Sequence, residues 1–470
     1  MRRVNRSRCA VLVAALLVAP WTARAAPQPS AEASRPNLLL MYVDNVGYGD
    51  LGCYGNAEVK TPRIDQLARE GVRCTDFYVV ASSCTPSRGA LLTGRYPKRN
   101  GLTHQLATTE NWTGIGLPHR ERIIPQYLKE AGYATACFGK WNIGFAPGSR
   151  PTDRGFDEFL GFRSGNIDYF RHTYHGEYDL FQGTERRKLE GYSTDLFADA
   201  AADFLRRNAA RPWFVYLAFN AAHFVSKINV APGEEPQWQA PRESFLRYGW
   251  PADEPSPQRR YRAVLTALDD AVGRVLDTVD GLGLRERTLV MLLSDNGAFM
   301  LPGRGLEVAS NAPLRDGGTT CYEGGVRVPA IFRWTGRIKP GTESRAMLSH
   351  LDVLPLCLAV SGAPPLAGRV LDGANPLAVL EGTGRSPHKR LAFAYAGTAG
   401  LREGPLKIVR NVPDGPWELY DLSADPGETR NLAATRAADA ARLDAAFQAW
   451  LADVSRDASD PAPRPPRPKK

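Results

Sequence analysis

Apolar positions in this chain fall into short continuous runs, and between several of them lie longer stretches with helical spacing. The run 37–43 is almost wholly apolar, as a strand buried on both faces of a parallel sheet must be, and it ends at Asp44-Asn45. Thr61-Pro62 opens a helix that runs through 69 with Gly71 as its stop, and 72–80 reads as a strand feeding a helix at Cys84. Helix-then-strand units recur at 122–131 with 133–138, at 194–207 with 213–219, and at 261–282 with 288–293. That order predicts an α/β fold with a mostly parallel central sheet between helices, and such sheets present ligand sites at their strand ends. Pro- and Gly-rich stretches at 144–155 and 231–257 predict surface loops. Beyond His350 the pattern changes: 390–422 alternates short apolar runs with turn residues such as Gly404-Pro405 and Asp414-Gly415-Pro416, and 436–454 has helical spacing. The expected division is a leader over 1–25, a main domain over 26–350, a smaller C-terminal α+β subdomain with an antiparallel sheet over 351–458, and a disordered basic Pro-rich tail over 459–470.

The leader assignment rests on Arg2, Arg3, Arg6 and Arg8, an apolar run over 9–20, and Ala23-Arg24-Ala25 as a small-residue cleavage site. Its apolar run is too short to span a bilayer, so the expected product is periplasmic or secreted, without stable membrane insertion after cleavage. The formal charge of +9 comes largely from this leader and from Arg464, Arg467, Lys469 and Lys470 in the tail. The body between them is close to neutral and has no basic stripe interleaved with aromatics, which argues against a nucleic-acid partner.

The segment Cys84-Thr85-Pro86-Ser87-Arg88-Gly89 restricts the chemistry most tightly. Pro86 has the fixed φ suited to a first helical turn, which places Cys84 at a helix N-terminus. Free amides and the positive end of the helix dipole favour an anion there, and Arg88, four residues on, lies on the same face. A tetrahedral oxyanion fits such a place; a buried or disulfide-bonded cysteine is the alternative for this segment alone. The segment resembles the signature of the formylglycine-dependent sulfatases, in which the cysteine is oxidised to an aldehyde whose hydrate is the nucleophile. Asp44-Asn45 with Gly47-Tyr48-Gly49-Asp50, and Ser294-Asp295-Asn296-Gly297, resemble that family's two metal-binding turns. The resemblance implies that Asp44, Asn45, Asp295, Asn296 and an oxygen of the modified Cys84 hold a divalent cation, Ca²⁺ first and Mg²⁺ as the alternative. Gly139-Lys140-Trp141-Asn142 resembles the lysine-bearing strand, which implies substrate contacts from Lys140 and Asn142. Phe219-Asn220-Ala221-Ala222-His223 resembles the histidine segment, making His223 a proton donor or sulfate contact. Gly165-Asn166-Ile167-Asp168-Tyr169-Phe170 is similar to the arylsulfatase and N-acetylgalactosamine-4-sulfatase branch, and Glu323-Gly324-Gly325 and Trp417-Glu418-Leu419-Tyr420 carry the likeness nearly to the end of the chain.

The resemblance implies an alkaline phosphatase-like sandwich and a sulfuric ester hydrolase acting on a sulfated carbohydrate or aryl sulfate, with Cys84, Arg88, Lys140 and His223 as its catalytic residues. It also implies a formylglycine-generating maturation enzyme as a partner. With Cys84 so modified, five cysteines remain outside the leader, an odd number that argues against a complete disulfide framework and leaves one pair open. Three positions depart from the family: Asn45 stands for an aspartate, Asn142 for a histidine and Gly318 for a lysine. A lysine restored at 318 is expected to raise turnover, and Lys227 and His104 are the replacement cations to look for. Two other readings share these residues, a phosphonate or phosphate monoester hydrolase on the same machinery and a sulfoglycan-binding pseudoenzyme.

Overall fold

The Asn37–Val43 run forms the central strand, and its alternation explains the layers. Leu38, Leu40 and Tyr42 enter one hydrophobic core, while Leu39, Met41 and Val43 enter another on the opposite face. The protein is described here from a computed structural model covering Met1 and residues 35–226, 237–300 and 307–459; the rest of the leader, Lys227 and the tail from 460 lie outside the described residues. Ten strands make the main sheet, in the order Thr342–Ser344, Val72–Cys74, Ala330–Arg333, Thr288–Ser294, Asn37–Val43, Trp213–Ala218, Ala134–Lys140, Glu158–Phe162, Leu180–Gln182 and Glu185–Arg186. The middle five are parallel, with Leu40 opposite Tyr216 on one side and Met291 on the other. Antiparallel pairs extend the sheet on both flanks. Helices Pro62–Glu70, Ser193–Arg207 and Pro257–Gly281 cover one face; Cys84–Thr93, Ile124–Glu130 and Val353–Ser361 cover the other. Each fully buried Leu or Ile in these layers contributes roughly 1.5–3 kcal/mol of transfer free energy.

The expected strand over 72–80 is broken. Val72–Cys74 joins the main sheet, whereas Phe77–Tyr78 pairs with Leu348–Ser349 in a small second sheet. Asp76 lies at the break, where its carboxylate meets Arg327 at 3.0 Å and Arg402 at 2.6 Å, so side-chain ion pairs replace the ladder there.

The C-terminal sheet is wholly antiparallel, with strands Arg390–Tyr395, Thr398–Glu403, Leu406–Arg410 and Glu418–Asp421. Ala396 and Gly397 make its first turn with φ of 49° and 92°, the left-handed pair that a two-residue hairpin requires. Helix Ala437–Arg456 covers one face through Leu443, Phe447 and Val454, packed on Leu401, Ile408 and Leu419. Phe393 and Val409 turn the other way, into the core of the main body. Among the described residues no helix is long and apolar enough to cross a membrane, and the six cysteines are unpaired.

Candidate active site

Four parallel strands end around one point. Asn37–Val43 delivers Asp44 and Asn45, Thr288–Ser294 delivers Asp295 and Asn296, Ala134–Lys140 ends on Lys140 itself, and Trp213–Ala218 leads through Asn220 to His223. Helix Cys84–Thr93 starts at the same place, and every residue in it is buried. Gly94, with φ of 63°, ends the helix by donating its amide to the Ala90 carbonyl.

The Cys84 thiol donates to Asp44 Oδ1 at 3.4 Å, and its sulfur lies 3.8 Å from Asn45 Oδ1. Asp44 Oδ2 accepts from Lys140 Nζ at 2.5 Å, and Asp295 Oδ2 accepts from Arg88 at 2.7 Å. Arg88 also lies 3.6 Å from Asp44, so two acids and two cations interlock with no solvent exposure. Asn45, at φ 58°, donates its backbone amide to Asp295 Oδ1 at 3.1 Å, tying the two turns together. A ring nitrogen of His223, Cys84 Sγ and an Asp44 oxygen lie within 4.8 Å of one another.

These residues fit a hard cation. Asp44, Asn45, Asp295 and Asn296 carry side-chain oxygens at adjoining buried positions; Asn45 Oδ1 accepts from Asn296 Nδ2 at 2.6 Å, and Asn296 Oδ1 has no hydrogen-bond partner. Asp44 and Asp295 balance Arg88 and Lys140 in formal charge, so a bound divalent ion would make the pocket net positive and suited to an anionic ester.

Burial, then the Asp295 and Asp44 charges, push the Cys84 thiol well above its ordinary range, so as a plain cysteine it is a weak nucleophile at neutral pH. Burial also works against the charge on Lys140, but Asp44 prevails and the ammonium is held more tightly than usual. His223 is pushed down to about 3 by burial and then by Lys140. Its Nδ1 donates to the Phe224 carbonyl at 2.7 Å, which leaves the neutral ring with its lone pair on Nε2.

Of the other expected residues, Asn142 sits fully buried at φ 55° with neither amide atom partnered. His104 is committed to Glu110 at 3.0 Å. At Gly318 the expectation of room for a lysine fails: a Cβ would lie 2.9 Å from the Gly297 carbonyl oxygen and 3.0 Å from the Phe299 ring. Phe299 in turn stands edge-on to His223, with ring centroids 6.3 Å apart.

Sequence reading missed the residues that hold this site from behind. Tyr42 bonds Ser87 Oγ at 2.9 Å, Ser87 bonds His350 Nδ1 at 3.2 Å, and His350 Nε2 accepts the Val80 amide at 3.1 Å. That fixes the His350 tautomer with its proton on Nδ1, and burial pushes its pKa down to about 3. The Tyr42 ring also lies under the Arg88 guanidinium at 5.3 Å. Gln105 Oε1 accepts from Ser83 Oγ at 3.0 Å and from the Thr85 amide at 3.1 Å, bracketing Cys84, and Tyr395 reaches Ser83 from the C-terminal sheet. Ser83, Thr85 and Ser87 flank Cys84 and Tyr42 precedes Asp44, but their partners His350, Gln105 and Tyr395 come from remote parts of the chain, and no local motif announces those contacts.

The Sulfatase family model matches residues 36–363. The chain is 34% identical over 447 residues to the N-acetylgalactosamine-6-sulfatase of Canis lupus familiaris, covering 89% of this chain and 79% of that one. It is 34% identical over 460 residues to arylsulfatase A of Homo sapiens, covering 86% and 84%. Among solved structures, that of Ps i-CgsB in complex with k-i-k-neocarrahexaose superposes with a TM-score of 0.80 at 29% identity, over 91% of this chain and 94% of that one.

Proposed function

The chain belongs to the sulfatase family and is a sulfuric ester hydrolase, and from that premise we propose that it removes sulfate from a sulfated carbohydrate, using a formylglycine made from Cys84 and a bound divalent cation. The observation that carries this reading is the convergence of Asp44, Asp295, Arg88 and Lys140 on Cys84 at a helix N-terminus. Ca²⁺ suits the donor set of Asp44, Asn45, Asp295 and Asn296, and when bound it supplies positive charge to the sulfate oxygens and the nucleophile. Formylglycine supplies a hydrated aldehyde, whose two hydroxyls permit attack on sulfur and later release of sulfate by carbon–oxygen cleavage. Arg88 and Lys140 neutralise the sulfate oxygens; their removal is expected to cost about 3–4 kcal/mol each, as for an oxyanion contact. His223 rests neutral, so its Nε2 would accept the proton that the attacking hydroxyl of the hydrate loses and pass it to the leaving alcohol. Asn142 adds a neutral contact. The Arg-rich leader supports export to the periplasm or medium.

Mass spectrometry of the tryptic peptide across Cys84 is expected to show the aldehyde in protein from a host with a formylglycine-generating enzyme. That protein should hydrolyse 4-nitrophenyl sulfate faster than the corresponding phosphate or phosphonate ester, and Cys84→Ala should abolish turnover without unfolding. Wild-type rates in the alanine variant would overturn the nucleophile; faster phosphonate turnover would reassign the reaction.

A further inference from the structure

The body of the chain between leader and tail is close to neutral, yet one cleft away from Cys84 collects positive charge. It is a cavity of about 660 Å³ where the C-terminal sheet and helix Ala437–Arg456 meet the main body. Arg345, Lys389, Arg402, Arg436 and Arg442 line it, against two acids, Glu403 and Asp421. The acids around it do not cancel the excess, because three of them are each divided between two cations. Glu403 pairs with Arg390 and Arg442, Glu343 with Arg73 at 2.6 Å and Arg345 at 3.1 Å, and Asp76 with Arg402 at 2.6 Å and Arg327 at 3.0 Å. Lys389 is exposed and has no ion pair or hydrogen bond among the described residues, and the Arg345 side chain is 85% exposed.

Cations spread along an open cleft fit an extended polyanion better than a single small ion, and guanidinium groups suit oxyanions that present two oxygens at once. No Trp, Tyr or Phe lines the cleft, and its one ring, His388, is held by Asp352 at 2.7 Å, so a nucleic acid base has nothing to stack on. Its larger aliphatic side chains, Met347 and Leu406, are buried, so nothing there inserts into a lipid surface. The cleft shares no residue with the site at Cys84. Asp76, which Arg402 holds at the cleft, stands eight residues before Cys84, so at most about 28 Å of chain separates the two places.

We propose that this cleft is a second binding site, for a linear sulfated polysaccharide, and that it holds one stretch of a polymeric substrate while another stretch enters the pocket at Cys84. The choice of ligand rests on the sulfatase reading above and deepens it. A second contact on the same polymer raises the effective concentration of its sulfate esters at the pocket. A small ester reaches the pocket alone and gains nothing from the cleft.

The test measures binding by calorimetry in about 0.15 M salt, with full-length Cys84→Ala protein and with the same protein carrying Arg345→Glu and Lys389→Glu. The probes are chondroitin sulfate, carrageenan, the desulfated counterpart of each, and a single-stranded oligodeoxynucleotide. The sulfated chains are expected to bind at least tenfold more tightly than the other probes, and the double substitution should lower that affinity at least tenfold without shifting the urea midpoint. Arg345→Gln with Lys389→Gln, which only removes charge, should give a smaller loss of the same kind. In protein with formylglycine verified at Cys84, the Glu pair should raise KM at least tenfold for the sulfated chain that is hydrolysed and leave kcat/KM on 4-nitrophenyl sulfate unchanged. Unchanged affinity in both pairs would overturn the proposal, as would equal binding of the desulfated chains or the oligonucleotide. So would an equal loss on the aryl ester, or turnover of the aryl ester with neither chain hydrolysed. Cleft-dependent binding by formylglycine-bearing protein that hydrolyses no sulfate ester would instead overturn the sulfatase reading and leave the cleft a polysaccharide site.

Discussion

At the scale of single residues, position 318 shows how geometry overrides alignment. A lysine here is expected from the family pattern to add charge near the ester, but its Cβ would strike the Gly297 carbonyl and the Phe299 ring. The carbonyl belongs to the turn that follows Asp295 and Asn296, so relieving the clash moves the proposed metal-binding turn as well as the aromatic ring. Gly318→Lys should therefore lower turnover on 4-nitrophenyl sulfate and weaken Ca²⁺ binding together. Steady-state rates with a calcium titration of the same variant check this, and faster turnover with unchanged affinity would show that the loop yields without cost.

At the scale of elements, two buried contacts hold the layers in place. Asp269 on helix Pro257–Gly281 accepts the Arg63 and Ile64 amides at the first turn of helix Pro62–Glu70. Burial nevertheless raises its pKa to about 7, because the two amides only partly replace water. The folded state thus binds this proton more tightly than the unfolded chain. The stability it lends is complete below about pH 4 and is lost as pH rises through about 7. Asp269→Asn does not titrate, so wild-type stability relative to the variant should fall over that window by on the order of 2–4 kcal/mol. Urea unfolding of both proteins at several pH values measures the difference; a flat difference would mean that Asp269 has an ordinary pKa. Lys407 is the second contact. It lies on Leu406–Arg410, fully buried, with Nζ 2.9 Å from both Glu323 and Glu428, and so fastens the C-terminal sheet to the main body. Lys407→Met leaves Glu428 buried without its counter-charge, while Glu323 keeps Arg327 at 3.4 Å, and should cost about 3–5 kcal/mol. A loss below about 1 kcal/mol in urea unfolding would place the triad in a wetter setting than this.

At the scale of the whole molecule, the proposed cation would join turns separated by some 250 residues of chain, as the Asn45–Asp295 contact already does. Binding to the folded state alone stabilises it by about 2.7 kcal/mol at a hundredfold excess over the dissociation constant. Calcium should therefore raise the thermal midpoint and a chelator should lower it. Asn45→Asp, by adding a ligand charge, should reach the same shift at lower calcium. Calorimetry with and without chelator is the check, and a midpoint that ignores calcium in both proteins would remove the cation from this site.

The sequence alone determined the layer order and pointed to Cys84 as the proposed reacting group. Runs such as Asn37–Val43 can be satisfied only by burial on both faces, and Pro86 and Arg88 specify a helix start around Cys84 whatever surrounds it. It also showed that Asp44, Lys140, His223 and Asp295 end successive strands, because strand ends are legible from where apolar runs stop. What only the tertiary structure decided is which remote groups share a space. The break at Asp76 and the His350–Ser87–Tyr42 support depend on contacts between segments far apart in the chain, and local propensity carries no information about those distances. Gly318 is the sharpest case: a glycine in a loop reads as missing charge, and only the positions of the Gly297 carbonyl and the Phe299 ring show that a Cβ there would be crowded.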